Sequence, residues 1–453
     1  MPEYRTIREY LDRVEEQIRW RRARPVVSLE LRRHLEDQRD SFVAAGKGPE
    51  EAEFLAVEEM GDPVAVGTEL DRLHRPKPQY GLLVLTAALA CAGACLRVLL
   101  TAGQGFESHS PLMAVLALVL GTAALLAGYF LDCSRLFCHA GAVYIGVLAA
   151  GVLFLWLSPT RNNASYYTRY LVQLYPTAYA LWLYHCRGRG WQGYFMAVAG
   201  GVPPAVVCML APSMLGLAAL LCCGLVLLLS AVRDGWFRLS RRRAAAVTGG
   251  LLALGAAGFL LKGNRIFPWA NSRFLCLLHP ELDPYGQGYQ AISTRAALAA
   301  SRWLGAGNGD ALPASYEKFV PNWNYDQLLT TVVYRLGWLP FLALMLAEAG
   351  MVLWLLGRCL KRTSRAGRLL VLSVVLTLCF QMVFSVMANM GLPLFGAEFP
   401  LLVGNLQTVL DMGLIGLALS VFRSGSIFRE EAPWQRYVFP WRVKILITST
   451  KSE

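Results

Sequence analysis

Four ionisable residues interrupt long apolar runs of the sequence, where a charge is costly unless it has a partner or faces a polar cavity. Arg97 and Arg169 lie toward one end of their runs. Each could face a groove for a phosphate-bearing lipid, or extend its side chain to the headgroups. Glu348 and Asp411 are expected to pair with a basic partner or to line a polar interior. Together they predict polar chemistry inside an apolar protein.

A second group of candidates lies in one long polar segment, residues 262–329, between two apolar runs. Ordering such a segment is entropically costly, so it is seldom without a function. Between two Gly/Pro-rich turns, an amphipathic helix is predicted over residues 289–304. The segment carries the basic residues Arg273, Arg295, Arg302 and Lys318. Asp326 lies near its end and, on residue type alone, fits a helix N-cap or a solvated loop end.

The elements that must position these residues are membrane-spanning helices. From residue 80 onward, ten apolar segments have the length of about 18–25 residues that crosses a bilayer core. We predict spans at residues 80–101, 112–131, 138–157, 166–186, 193–211, 213–232, 244–261, 330–357, 368–390 and 400–422. Of 453 residues, 55% are apolar and 16% are charged, which fits a membrane protein. The predicted fold class is therefore all-α, a polytopic membrane protein with about ten transmembrane helices.

The orientation of these spans follows from the distribution of Lys and Arg among the short loops. One alternating set contains Arg187, Arg233, Arg241 and Arg365, whereas the opposite set offers only Arg161. The basic side is expected to be cytoplasmic, so both termini are predicted inside and residues 262–329 outside. After residue 78 the chain holds 29 basic and 14 acidic residues. This surplus indicates topology and attraction to anionic lipid, and not nucleic-acid binding.

Residues 1–78 form a separate, charged unit with 14 basic and 17 acidic residues. They predict a small cytoplasmic domain of amphipathic helices, the second of them capped by Ser28. One face of the first helix is formed by Ile7, Leu11, Val14 and Ile18. The pattern ELRRHLEDQRDSFVAAGKGPEEAEFLAVEEMGDP resembles the permease-prefix helical domain found ahead of several Gram-positive membrane proteins. That resemblance implies a regulatory or docking role.

The C-terminal tail, the cysteines and histidines, and the N-terminus limit the functions that the sequence can predict. Residues 424–453 mix aromatic and basic side chains, which favours a cytoplasmic amphipathic tail at the headgroup boundary. Most of the eleven cysteines fall in apolar runs and the six histidines are scattered. We therefore expect neither a disulfide framework nor a metal site. The charged N-terminus has no apolar stretch, so no cleavable signal peptide is expected.

The long polar segment carries a resemblance to a known family. RFLCLLHPELDPYGQGYQ, residues 273–290, is similar to the Arg…Pro…Asp-Pro…Gly-x-Gly-Tyr-Gln segment of the FtsW/RodA/SpoVE (SEDS) family. A Gly-x-Gly-x-Gly turn at 305–309, then Phe-Val-Pro at 319–321 and then Asp326, recur in the family's order. The family's Pro-Glu-x-His-Thr-Asp keeps only Pro321 and Asp326 here, and its Pro-x-x-Ser-Tyr-Gly-Gly-Ser stretch is reduced to residues 400–407.

The resemblance implies a peptidoglycan glycosyltransferase of the bacterial cytoplasmic membrane. Such an enzyme polymerises lipid II into glycan strands at the outer face, in cell shape, division or sporulation. The resemblance implies that Asp326 is the catalytic general base. Cations near the departing diphosphate would offset its charge. The candidates for substrate binding are Arg273, Arg295, Arg302, Lys318, Arg97 and Arg169.

The partners implied by the resemblance are lipid II, membrane lipids and a class B penicillin-binding protein. A divalent cation could assist the diphosphate, although the sequence shows no motif for a protein-bound metal. Two alternatives stay open. One is a lipid II flippase or transporter that uses a cavity lined by Arg97, Arg169, Glu348 and Asp411. The other is a non-catalytic scaffold or regulator of cell-wall synthesis.

Overall fold

The chain is a bundle of helices, as its apolar periodicity predicts. The structure, a computed structural model, describes residues 6–21, 23–76, 78–101, 111–161, 164–266, 275–324, 326–361, 364–396, 398–402 and 405–424. Within them the strands amount to one antiparallel pair, in which Thr160 faces Ser165 and Arg161 faces Ala164. The all-α fold class is confirmed.

Four helices precede the membrane spans: α1 (Ile7–Gln17), α2 (Arg24–Ala44), α3 (Pro49–Met60) and α4 (Pro63–His74). Ile7, Leu11, Val14 and Ile18 are all buried, and they share one hydrophobic cluster with residues of α2 and α3. The predicted cap at Ser28 is wrong: α2 begins at Arg24, because Pro25 suits the first helical turn. Asp62 does cap α4 through hydrogen bonds from the backbone N–H groups of residues 64 and 65.

The membrane body is built from the helices that follow. They are α5 (Tyr80–Thr101), α6 (Pro111–Phe130), α7 (Cys133–Cys138), α8 (Ala140–Leu157), α9 (Thr168–Leu171), α10 (Tyr175–Cys186), α11 (Gly190–Ala199), α12 (Val202–Leu210), α13 (Met214–Arg233), α14 (Arg241–Ile266), α15 (Tyr289–Ala299), α16 (Tyr316–Phe319), α17 (Leu328–Leu336), α18 (Trp338–Leu360), α19 (Arg365–Asn389) and α20 (Asn405–Ser424). Short 3-10 turns occupy Val172–Leu174, Pro280–Leu282 and Gly309–Ala311.

Eight helical segments of the described chain are long and apolar enough to cross a membrane. They match eight of the ten predicted spans, within a few residues at most boundaries. The predicted span at 166–186 is helical but divided into α9, a 3-10 turn and α10. The predicted span at 244–261 lies within α14. The chain is therefore a multi-pass membrane protein.

Helices α6 and α20 pack closely along each other, and glycine permits the contact. A Cβ atom on Gly416 would lie 2.3 Å from the backbone oxygen of Leu125. Such close approach of helix backbones is typical of membrane proteins. Lipid provides no hydrophobic driving force between helices, so they associate through close packing, which small residues permit. The contact fixes α20, which carries Gln407 and Asp411 into the interior.

The long segment before α17 is ordered by packing as well as by turns. The amphipathic helix predicted over 289–304 ends at Ala299, as α15. Tyr316 and Tyr334 stack with ring centroids 4.3 Å apart, which joins the segment to α17. Val320 and Trp323 are buried in the same cluster. The described residues of this segment are thus a packed part of the protein.

The predicted span at 330–357 is wrong at its first boundary. Helix α17 ends at Leu336, Gly337 is its C-cap, and a new helix, α18, begins at Trp338. The backbone of Gly337 has φ +107°, an angle that residues other than glycine rarely adopt. A Cβ atom at this position would lie 2.6 Å from the backbone oxygen of Trp303. Asp326 therefore precedes a short helix and not a membrane span.

Substitution Gly337→Ala should lower the thermal midpoint of the detergent-solubilised protein by several degrees. The strained backbone and the clash with Trp303 together cost about 1–3 kcal/mol. Gly350→Ala is the matched control, because Gly350 lies inside α18 with open space around its Cα. The control should keep or slightly raise the midpoint. Equal midpoints for the two variants would contradict the assigned backbone conformation.

Candidate functional site at Asp326

The backbone of Asp326 is held by the last residue of a long membrane helix. The Asn389 side chain at the end of α19 donates to the Asp326 carbonyl at 2.9 Å. Its amide oxygen accepts from the Thr330 N–H group, also at 2.9 Å. Both Asn389 and Thr330 are buried. One amide group therefore fixes the entry to α17, and with it the position of the carboxylate.

The carboxylate of Asp326 is partly buried. It accepts a long hydrogen bond of 3.4 Å from the side-chain nitrogen of Asn322. It does not cap α17, whose N-cap position is Gln327. Burial raises the pKa of Asp326 above its usual value, while the charge of Arg169 partly opposes this rise. A carboxyl group in this position accepts a proton more readily than one in water.

Arg169 is part of a three-residue polar cluster with Tyr170 and Glu398. Its guanidinium group lies 2.8 Å from the Glu398 carboxylate and 2.8 Å from the Tyr170 hydroxyl. The Tyr170 hydroxyl donates to the same Glu398 oxygen at 2.7 Å. Burial raises the pKa of Glu398, and Arg169 and Tyr170 oppose that effect. The Arg169 side chain keeps 42% of its surface exposed, so it can also face a ligand.

The other predicted binding residues lie in different surroundings. Arg295 is partly buried, and its guanidinium group donates to the carbonyls of Gly391 and Leu277. Arg302 and Lys318 are exposed. Arg97 is buried and lines a narrow cavity of about 10 Å³ beside Leu401. Arg273 lies outside the described residues.

Asp411 lies in a polar interior, one of the two settings predicted for it. Gln407 donates to Asp411 at 2.8 Å and to Gln173 at 2.6 Å. Gln381 donates to Gln173 as well, so three helical segments are joined. The charges of Glu348 and Asp411 act on each other, and both residues are fully buried. Neither carboxylate oxygen of Glu348 has a hydrogen-bond partner within the described residues.

The described residues around Asp326 do not form a metal cage made of protein groups alone. Among the residues that the structure describes, no three His, Cys, Asp or Glu side chains are grouped to hold an ion. The neighbouring carboxylate of Glu398 is engaged by Arg169 and Tyr170.

Sequence reasoning missed Glu398, Tyr170 and the bridging role of Asn389. Glu398 is an acidic residue directly before an apolar run, and this could have marked it as a candidate. Asn389 lies at the end of an apolar run, and its hydrogen bonds to residues 326 and 330 join positions about sixty residues apart in sequence. No local pattern predicts such a contact.

The fold and the site together define a multi-pass membrane protein that carries a polar site, centred on Asp326, at one membrane surface. Residues 182–426 match the family model of the FtsW/RodA/SpoVE cell cycle proteins. Because the match covers more than half of the chain, the protein belongs to the FtsW/RodA/SpoVE family. The expected family membership is confirmed.

Curated relatives and solved structures agree with this assignment. The chain is 29% identical over 160 residues to the probable peptidoglycan glycosyltransferase FtsW of Idiomarina loihiensis, which covers 34% of this chain and 38% of that protein. It is 25% identical over 350 residues to the protein of the same name in Pseudoalteromonas atlantica, covering 76% of this chain and 64% of that protein. The chain thus spans about 38–64% of the length of these curated relatives.

Two solved structures share the fold. One is a chain from a study of the structural coordination of polymerization and crosslinking by a peptidoglycan synthase complex, with TM-score 0.58 and 22% identity over 76% of this chain and 98% of that one. The other is a variant of the rod shape determining protein RodA of Thermus thermophilus, with TM-score 0.52 and 17% identity over 77% of this chain and 98% of that one. At these identities the similarity shows the fold.

The contact between Arg169 and Glu398 should appear as non-additivity in a double-mutant cycle. Arg169→Gln and Glu398→Gln should each lower the thermal midpoint of the purified protein, because each leaves a partly buried charge without its partner. The double variant should be more stable than the sum of the two losses predicts, by about 1 kcal/mol, a value reduced by the exposure of Arg169. Strictly additive losses would mean that the two side chains do not interact.

Proposed function

We propose that this protein is a peptidoglycan glycosyltransferase that polymerises lipid II into glycan strands at the outer face of the bacterial cytoplasmic membrane. The observation that carries the proposal is the partly buried carboxylate of Asp326, whose pKa is raised by burial in the presence of Arg169. The curated relatives, each named a probable peptidoglycan glycosyltransferase FtsW, support the same activity.

In the proposed reaction, Asp326 acts as the general base. The hydroxyl group of the acceptor sugar attacks the anomeric carbon of the donor and gives its proton to the carboxylate. The bond between the anomeric carbon and the diphosphate oxygen breaks, and the lipid diphosphate leaves with the bonding electron pair. A carboxylate with a raised pKa is the stronger base while it remains ionised at neutral pH.

Cationic side chains would offset the negative charge that grows on the departing diphosphate. Arg169 is the best supported of these, because its charge acts on Asp326 and its side chain is partly exposed. Arg302 and Lys318 are exposed and available to a large glycan substrate. Arg295 is held by two backbone carbonyls, so we assign it a positioning role at the turn after Asn389.

The setting of the reaction follows from the orientation and the family. We propose that both termini face the cytoplasm, because the arginine-rich loops lie at the membrane end opposite Asp326. We further propose a class B penicillin-binding protein as the partner that cross-links the new strands. The synthase complex that contains a chain of this fold supports an assembly of that kind.

The variant Asp326→Asn should lose glycan-strand synthesis by a factor of about 10²–10⁴, the range typical of a missing general base. The measurement is polymerisation of lipid II by the purified full chain with a class B penicillin-binding protein present. Asp310→Asn is the matched control, because Asp310 is an exposed acid of the same segment, and it should keep full activity.

Three other outcomes would reject the proposal or a part of it. Unchanged synthesis by Asp326→Asn would remove the carboxylate from the mechanism. Absence of synthesis by the unmodified chain with its partner would favour a scaffold. Movement of labelled lipid II across vesicles without polymer would favour a transporter.

The variant Arg169→Gln should shift the acid limb of the pH–rate profile to higher pH. Arg169 opposes the rise in the pKa of Asp326, so its removal lets that pKa rise further. The base then becomes protonated at a higher pH, and activity is lost earlier as the pH falls. Arg135→Gln, at an exposed position of the short helix α7, is the control for the lost charge. An unshifted limb would show that Arg169 does not act on the titrating group.

A further inference from the structure

A large cavity lies at the membrane end opposite Asp326. Its volume is about 820 Å³, and it is bounded by the ends of α13 and α18 and by the beginnings of α14 and α19. Helix α19 runs from Arg365 at the cavity to Asn389 beside Asp326, a length of about 37 Å. The cavity is therefore remote from the proposed catalytic site.

The charge of this cavity is strongly unbalanced. Its lining contains four arginines, namely Arg233, Arg241, Arg365 and Arg368, and one acidic residue, Asp234. The Asp234 carboxylate is engaged by Arg368 at 2.6 Å, and Arg365 donates to the neutral carbonyl of Asp234 at 2.8 Å. Arg233 and Arg241 add two more guanidinium charges, and the described lining holds no carboxylate besides Asp234.

The helix ends at the cavity do not supply this excess charge. Helices α14 and α19 begin there, with positive dipole ends, whereas α13 and α18 end there, with negative ones. The four contributions largely offset each other. The attraction for an anion therefore comes from the arginine side chains, which bind phosphate through paired N–H donors.

The other walls of the cavity are apolar and continuous with the lipid-facing surface. Val226, Leu229 and Leu360 line it, and 42%, 40% and 66% of their respective surfaces are exposed. A soluble anion would gain nothing from such walls. A lipid could place its phosphate among the arginines and its acyl chains along the helices, which is how basic pockets between membrane helices hold anionic headgroups.

We propose that this cavity binds the phosphate headgroup of an anionic phospholipid from the leaflet on the arginine-rich side. The ligand chemistry is a phosphodiester anion joined to acyl chains. The site is independent of the proposed reaction, so it stands or falls on lipid binding alone.

The test compares two double variants of the full chain with the same loss of charge. Arg233→Gln/Arg241→Gln removes two arginines that line the cavity, and Arg242→Gln/Arg243→Gln removes two exposed neighbours that do not. Native mass spectrometry of the purified protein, titrated with phosphatidylglycerol, should give about fivefold weaker binding for each arginine lost from the lining. The control pair should bind as the unmodified chain does.

Two further arms distinguish the lipid from other sources of the same chemistry. Phosphatidylcholine should bind more weakly than phosphatidylglycerol. Glycerol 3-phosphate, which has no acyl chains, should fail to displace bound phosphatidylglycerol. Equal losses in both double variants would indicate diffuse attraction and overturn the site. Displacement by glycerol 3-phosphate would reject the lipid in favour of a soluble anion. If the first pair does not fold, Arg241→Gln alone against Arg242→Gln gives the same comparison.

Discussion

The amide group of Asn389 connects the membrane body of this protein to its chemistry. It bonds at once to the carbonyl of Asp326 and to the N–H group of Thr330, so the first turn of α17 cannot move independently of α19. The contact with Thr330 is buried and the contact with Asp326 is partly buried, and an unmade buried hydrogen bond costs about 1–3 kcal/mol. The position of the candidate base is therefore set by the end of a 25-residue membrane helix, and not by the flexibility of a surface loop.

The apolar surroundings also explain why the polar residues of the interior occur in groups. Gln173, Gln381, Gln407 and Asp411 share hydrogen bonds because no water is available to replace them in a bilayer. The same constraint acts at Arg169, whose charge is shared with Glu398 and Tyr170 at one surface. Charges with less burial lie at the two membrane ends. The result is a chain with polar sites at both surfaces and a connected polar centre.

The segment after α14 shows how a long loop becomes part of a site. Its described residues pack through Tyr316, Val320 and Trp323 against α17, and the Glu317 carboxylate lies 2.5 Å from the guanidinium group of Arg335. Aromatic stacking and one ion pair thereby offset the entropy lost on ordering. The break at Gly337 makes α17 a helix separate from α18, and Asp326, which lies just before α17, is in hydrogen-bond contact with Asn389.

The sequence by itself determined the all-α class, the positions of most spans and the family, because apolar length, loop charge and short motifs are local properties. It also singled out Asp326, Arg169, Glu348 and Asp411, because ionisable residues in or beside apolar runs are conspicuous. Only the tertiary structure decided that Arg169 pairs with Glu398, that Asn389 holds Asp326 and that Gly337 separates two helices. The first two contacts join residues 229 and 63 positions apart in sequence. The break at Gly337 depends on the close approach of the Trp303 backbone, which leaves no room for a side chain. Periodicity carries no information about which distant residues meet, since that is fixed by how the helices pack.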